Sequence, residues 1–157
     1  MTALEIVALV LGILGFVLLT LAVVMIPVRR RARRGEDELT RELGAGLRRI
    51  DTVNSLGLES LGRAQVRGNG TLALSIDELR FRQWIPQRDI RVPLANVTDA
   101  GTKRWWLGKT VGRRLLCVRW RNEDGSEDAM AWQVRDLEGW LADLRGELQQ
   151  RPRAGVS

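Results

Sequence analysis

Gly70-Thr71-Leu72-Ala73-Leu74-Ser75-Ile76-Asp77-Glu78-Leu79-Arg80-Phe81 is the stretch that decides the fold. Leu72, Leu74 and Ile76 alternate with Thr71, Ala73 and Ser75, the two-residue period of a strand with one buried face. Asp77-Glu78 supplies a turn. Leu79 and Phe81 then share one face, and Arg80, Arg82 and Trp84 take the other. Two alternating runs joined by a turn predict a hairpin.

The pattern continues downstream. Pro86-Gln87-Arg88 turns the chain, and Ile90, Val92 and Leu94 point inward on the next strand, which Pro93 marks as an edge or an ending. Val97–Arg104 reads as a further strand. Arg114–Arg121 places Leu116, Val118 and Trp120 on one face, and Asn122-Glu123-Asp124-Gly125 is a hairpin loop. Glu127–Val134 then presents Met130, Trp132 and Val134 together. The period next switches to 3.6, with Leu137, Trp140, Leu141, Leu144 and Leu148 in one stripe behind an N-cap at Asp136. Pro152 closes that helix, and 151–157 is a tail. Upstream, Arg67-Gly68-Asn69-Gly70 reads as a turn and Leu61–Arg67 as the first strand. Residues 58–150 are thus expected to form about seven antiparallel strands, in a curled sheet or barrel closed by a C-terminal α-helix.

Seven strands and a closing helix, with Gly70-Thr71-Leu72-Ala73-Leu74-Ser75, Leu79 and Phe81 followed by Ile90-Arg91-Val92-Pro93-Leu94-Ala95-Asn96-Val97, resemble bacterial pleckstrin-homology-like (PH-like) and GRAM-like domains. Ser75 stands where those families usually carry threonine, and Val92 and Val97 where they carry isoleucine. The whole plan resembles small single-pass membrane proteins of high-GC bacteria. The resemblance implies a lipid-binding, peptide-binding or scaffolding module and no particular chemistry.

The other end of the chain carries a different signal. Ile6–Val28 holds no charge and one polar side chain, Thr20. As a helix it would reach about 34 Å, against a hydrocarbon core of about 30 Å. The spacing predicts a transmembrane helix over 6–28, ended near Pro27. Arg29, Arg30, Arg31, Arg33 and Arg34 follow at once, so the positive-inside bias predicts an inner-membrane protein with its N-terminus outside and its C-terminal domain cytoplasmic. Residues 29–57 form a basic juxtamembrane segment and linker. Leu39, Leu43, Leu47 and Ile50 share one helical face in it, and the segment is either a helix on the membrane or against a second copy, or a spacer.

Composition narrows the chemistry. The 157-residue chain has net charge +6, no histidine, no tyrosine and one cysteine, Cys117. Histidine-based catalysis, intrachain disulfides and cysteine metal sites are thereby excluded. No cofactor motif is present. Both lysines fall in Lys103-Arg104-Trp105-Trp106-Leu107-Gly108-Lys109, continued by Arg113 and Arg114. Tryptophan between cations suits lipid headgroups or a partner surface, unless one or both rings fill the core. Basic residues around the first turn, Arg63 and Arg67, are few for a phosphoinositide-type pocket.

The expected function is a membrane-tethered PH-like adaptor, not an enzyme. Its contacts are anionic lipid through Arg29, Arg30, Arg31, Arg33, Arg34, Lys103, Arg104, Trp105, Trp106 and Lys109, or a protein partner. An enzyme or accessory subunit using carboxylates is the alternative. Nucleic-acid binding through Arg80, Arg82, Arg91, Arg119 and Arg121 ranks below both, because acids lie close by in sequence.

Overall fold

The computed structural model describes residues 3–65 and 67–150, and within them every side chain except those of 3–5, 8, 24–29, 31 and 32. The chain divides into two units, Met1–Arg34 and Gly35–Ser157. Helix α1 runs Ala3–Leu43, so its last nine residues belong to the second unit.

In the first unit α1 continues through Pro27, where the sequence predicted its end. Proline there forfeits one backbone hydrogen bond, which a helix of 41 residues absorbs among its others. The Thr20 hydroxyl donates to the Phe16 carbonyl at 2.8 Å, so the one polar side chain of the run is satisfied within the helix. The described apolar side chains of 6–23 are exposed, up to 71% for Phe16. Among the described residues, however, no helix is long and apolar enough to cross a membrane. This corrects the transmembrane helix expected over 6–28. It also removes the basis for a single-pass, inner-membrane placement with a cytoplasmic domain.

In the second unit one antiparallel sheet has the order β4-β3-β2-β1-β7-β6-β5. The strands are β1 (Leu47–Leu58), β2 (Gly68–Ser75), β3 (Glu78–Gln83), β4 (Arg88–Pro93), β5 (Val97–Lys103), β6 (Leu115–Arg121) and β7 (Glu127–Gln133). β1 joins the two halves. It pairs with β2 from Leu47↔Ser75 to Ser55↔Gly68, and its end pairs with β7 at Ser55↔Trp132 and Leu58↔Met130. Its register shifts between those last two pairs, where Gly57 sits at φ +108°.

One core fills the inner face. Leu72, Leu74, Leu79, Phe81, Val92 and Leu94 enter from β2–β4 and the turn that follows, and Leu116, Val118, Trp120, Met130 and Trp132 from β6 and β7. The Phe81 and Trp132 rings meet edge to face at 5.9 Å. Helix α2 (Leu137–Gln149) closes the core with Trp140, Leu141 and Leu144, and the Asp136 side chain caps it by accepting from the Gly139 N–H at 3.0 Å. Burying such a stripe at about 25 cal/mol per Å2 contributes several kcal/mol.

Three expectations are corrected here. The first strand is 47–58, not 61–67, because the helical spacing of Leu39 and Leu43 does not extend to Leu47 and Ile50: a 3-10 turn at Gly44–Gly46 ends it. Arg67-Gly68-Asn69-Gly70 is not a turn but leads into and opens β2. Gly70 is required for close approach, since a Cβ there would lie 2.4 Å from the Arg82 carbonyl oxygen and 2.6 Å from the Phe81 ring. Ile76, expected inward with Leu72 and Leu74, falls past the end of β2 and is 40% exposed. The tail 151–157 and Pro152 lie outside the described residues.

Candidate functional site

Two coverings lie on the outside of this sheet, one basic and one acidic. The first is made of the loops 59–67 and 104–114. Trp106-Leu107-Gly108-Lys109 is a tight turn in which the Trp106 and Lys109 backbones exchange two hydrogen bonds at 2.8 and 2.9 Å. Leu107 and Gly108 both have positive φ, 49° and 75°, as a type I′ turn demands. The turn drives the Trp106 indole inward, where its N–H donates to the Gly57 carbonyl at 2.8 Å. Leu56, Leu115, Cys117, Ala129 and Ala131 complete a second, small core around it, with Leu107 and Val111 packed on its edge.

The two loops hold each other. The Arg67 guanidinium donates to the Thr110 carbonyl at 3.0 Å, and the Lys109 ammonium donates to the Gln65 carbonyl. The Gln65 side chain accepts from the Leu58 N–H and donates to the Leu58 and Gly62 carbonyls. Asp128, buried at the start of β7, accepts from the Ser60 N–H and hydroxyl and from the Ala129 N–H, pinning loop 59–67 to the sheet.

The structure separates the two tryptophans that the sequence left together. Trp106 is 3% exposed and Trp105 is 65% exposed. Lys103 stands 5.1 Å over the Trp106 ring, and Arg104 is exposed beside Trp105. Arg63, Arg113 and Arg114 are exposed in the same two loops. Among the described residues none of Arg63, Arg67, Lys103, Arg104, Lys109, Arg113 and Arg114 has an acidic partner within 4 Å. The ion pairs nearest in sequence tie Arg119 to Glu59 at 2.8 Å and Arg121 to Glu127 at 3.7 Å. Arg30, Arg33 and Arg34 are exposed on α1, and the side chains of Arg29 and Arg31 lie outside those described.

The second covering lies over β2, β3 and β4. Residues 35–43 of α1 rest on the outward side of these strands. Thr71, Ala73 and Ser75, which the alternation points toward solvent, are therefore all buried. Leu39 is fully buried, and Gly35 comes so close that a Cβ would meet the Thr71 hydroxyl oxygen at 2.7 Å. Glu36 accepts from the Thr52 hydroxyl at 2.8 Å. Glu42 reaches Arg80 at 2.5 Å and Arg82 at 3.0 Å, and Glu38 reaches Arg82 at 3.2 Å. Asp89 of β4 closes the network on Arg80 at 2.6 Å.

Charge follows this geometry. The hydrogen bonds that Arg80 donates to Asp89 hold the Asp89 carboxyl below its ordinary range and raise the Arg80 guanidinium. Desolvation pushes Glu42 up, but the hydrogen bond from Arg82 and the charges of Arg80 and Arg82 outweigh it and leave its carboxyl lowered. The basic face expected of Arg80, Arg82, Arg91, Arg119 and Arg121 is therefore not an array of open cations. Each of the five has an acidic neighbour within 4 Å.

The remaining reactive groups are held apart. Burial pushes the Cys117 thiol up to about 11, which keeps it protonated at neutral pH. The adjacent acids Glu127 and Asp128 diverge, one toward Arg121 and the other to Ser60. Among the described residues no three His, Cys, Asp or Glu side chains converge as a metal site would need.

No protein-family profile and no curated protein matches this sequence. Solved structures do. A chain of "The 8S snRNP Assembly Intermediate" is similar with a TM-score of 0.56 at 14% identity, over 72% of this chain and 90% of that one. A second similarity is to the C-terminal domain of an unknown protein from Leishmania infantum, with a TM-score of 0.49 at 8% identity over 73% and 98%. At such identities the first likeness speaks for the fold alone.

Proposed function

We propose that this chain is a non-catalytic, PH-like binding module whose loop face, 59–67 with 104–114, meets an anionic lipid headgroup surface from outside, without crossing it. The observation that carries the reading is Trp105, 65% exposed beside cations that lack acidic partners among the described residues. Leaving a large indole in water forgoes hydrophobic stabilisation, whereas at the headgroup level its apolar body is buried and its N–H stays wet. Each cation near an anionic leaflet contributes about 1 kcal/mol, so Lys103, Arg104, Arg113 and Arg114 together suffice for salt-sensitive attachment. The PH-like assignment is supported by the strand order, with β1 shared between a four-stranded and a three-stranded meander and a terminal helix on the core. The absence of chemistry is supported by the dispersal of carboxylates into ion pairs and by the protonated, buried Cys117.

Trp105 reports on its own contact. The difference in emission between the wild-type chain and Trp105→Phe isolates that indole. With vesicles containing anionic phospholipid, this difference should shift to the blue and be quenched by brominated acyl chains. The response should weaken with salt, since the screening length shortens from about 10 Å at 0.1 M to about 3 Å at 1 M, and in Arg113→Gln/Arg114→Gln. An identical difference spectrum with anionic and zwitterionic vesicles sinks the lipid reading and leaves the face to a protein partner.

A further inference from the structure

The face under residues 35–43 carries its own inference, independent of the loop face. The covering has an unusual composition for a structural element. Its one fully buried large side chain is Leu39, worth about 1.5–3 kcal/mol. Its remaining attachments are the contacts of Glu36, Glu38 and Glu42, and the Glu38 and Glu42 side chains are 52% and 42% exposed. The exposed pairs contribute about 0–1 kcal/mol each, and only the pair of Glu42 with Arg80, whose side chain is 4% exposed, contributes more. The covering connects to β1 through Gly44-Ala45-Gly46, with Gly44 at φ +51°, no buried side chain in the turn and open space around the Gly44 Cα. The segment can therefore open at a fraction of the cost of unfolding the sheet.

What opening would uncover is specific. Arg80, 3% exposed, and Arg82 converge on the single Glu42 carboxylate. Glu38 and Glu42, one helical turn apart, flank the buried Leu39. The face is thus shaped for an acidic helix carrying an apolar residue between two carboxylates at i and i+4. With 35–43 gone, Asp89 and, at 3.9 Å from Arg80, Glu78 would be left to balance the two guanidiniums.

We propose that the outer face of β2–β4 is a recognition groove for such a helix, that 35–43 is its resident but exchangeable occupant, and that the partner it fits is the same segment of a second copy of this chain. Gly44–Gly46 is the hinge. The resident copy wins at low concentration because it is tethered, and a short hinge is where exchange between copies begins.

Two measurements on the full chain test this. In the wild-type chain, amide hydrogen exchange at 39–43 should run at least about a hundredfold faster than at 72–74 and 116–118, the signature of local opening. Equal protection in both regions overturns the proposal. The second uses a fluorescein-labelled synthetic peptide of residues 35–46, followed by anisotropy. The chain carrying Glu38→Arg and Glu42→Arg repels its own segment from Arg80 and Arg82. It should bind the peptide at least about tenfold more tightly than wild type does, while amides 116–118 stay protected. Equal binding by the two chains, or none by either, overturns the proposal.

Discussion

The two outer coverings of the sheet use the same residue types to opposite ends. Over β2–β4, every arginine that faces the covering meets a carboxylate, and the charges cancel within the molecule. Over β6 and β7, the loops are held by bonds from Arg67 and Lys109 to backbone carbonyls, by the Asp128 carboxylate and by the indole of Trp106, while their cations are left without acids among the described residues. An arginine-rich composition therefore says little about function by itself. What separates a structural cation from an available one is whether the fold brings it a carboxylate.

The largest expected effect tests how the loop covering is held. Trp106→Ala removes a fully enclosed indole and leaves the Gly57 carbonyl without its donor. Truncations of this kind cost about 3–5 kcal/mol, a loss that chemical denaturation would measure directly. Trp105→Ala should change stability by no more than about 0.5 kcal/mol. Equal losses at both positions would abolish the distinction between a packing and a presenting tryptophan.

The pair also shows what was legible beforehand. The alternation from Thr71 to Phe81 was sufficient for the hairpin, and the stripe from Leu137 to Leu148 for the closing helix, because one buried face writes its period into the sequence. β1 was hidden for the converse reason. It is shared between two halves of the sheet, passes through Gly57 at positive φ, and carries Arg48, Arg49, Asp51 and Asn54 on positions of mixed burial. Its pattern is not that of a half-buried strand. The split between Trp105 and Trp106 depends on the turn at Leu107-Gly108, which periodicity does not report. The pairing of Glu38 and Glu42 with Arg80 and Arg82 spans about forty positions. Its only local trace is two acids around one leucine.

A smaller effect sharpens the comparison from the β2–β4 side. Asp89 and Glu42 have carboxyls lowered in the folded protein, Asp89 chiefly by its hydrogen bond from Arg80. A lowered folded value means that the contribution is complete above the unfolded carboxylate range of about 4 and is lost as pH falls through the folded value. Acid should therefore loosen 35–43 while loop 104–114, which is held by Trp106, Lys109 and Arg67 and not by a carboxylate, keeps its protection. Trp84, whose indole N–H lies 3.4 Å from the Thr71 hydroxyl oxygen beneath this segment, is a local reporter. Its emission should change below about pH 4, ahead of the global transition. Simultaneous loss of protection in both coverings would mean that the ion pairs do not set the stability of the first.

The smallest expected effect on stability is the most telling about use. Arg113→Gln/Arg114→Gln removes two exposed charges from a loop fixed by Trp106, Lys109 and Arg67 rather than by either of them. The midpoint of unfolding should move by no more than the equivalent of about 0.5 kcal/mol, and mutual repulsion among the loop cations makes a slight gain the expected sign. If instead the double variant unfolds as readily as one lacking a buried partner, these arginines are part of the scaffold. Unchanged stability together with a weakened Trp105 response to anionic vesicles would assign them to the surface the loop face meets.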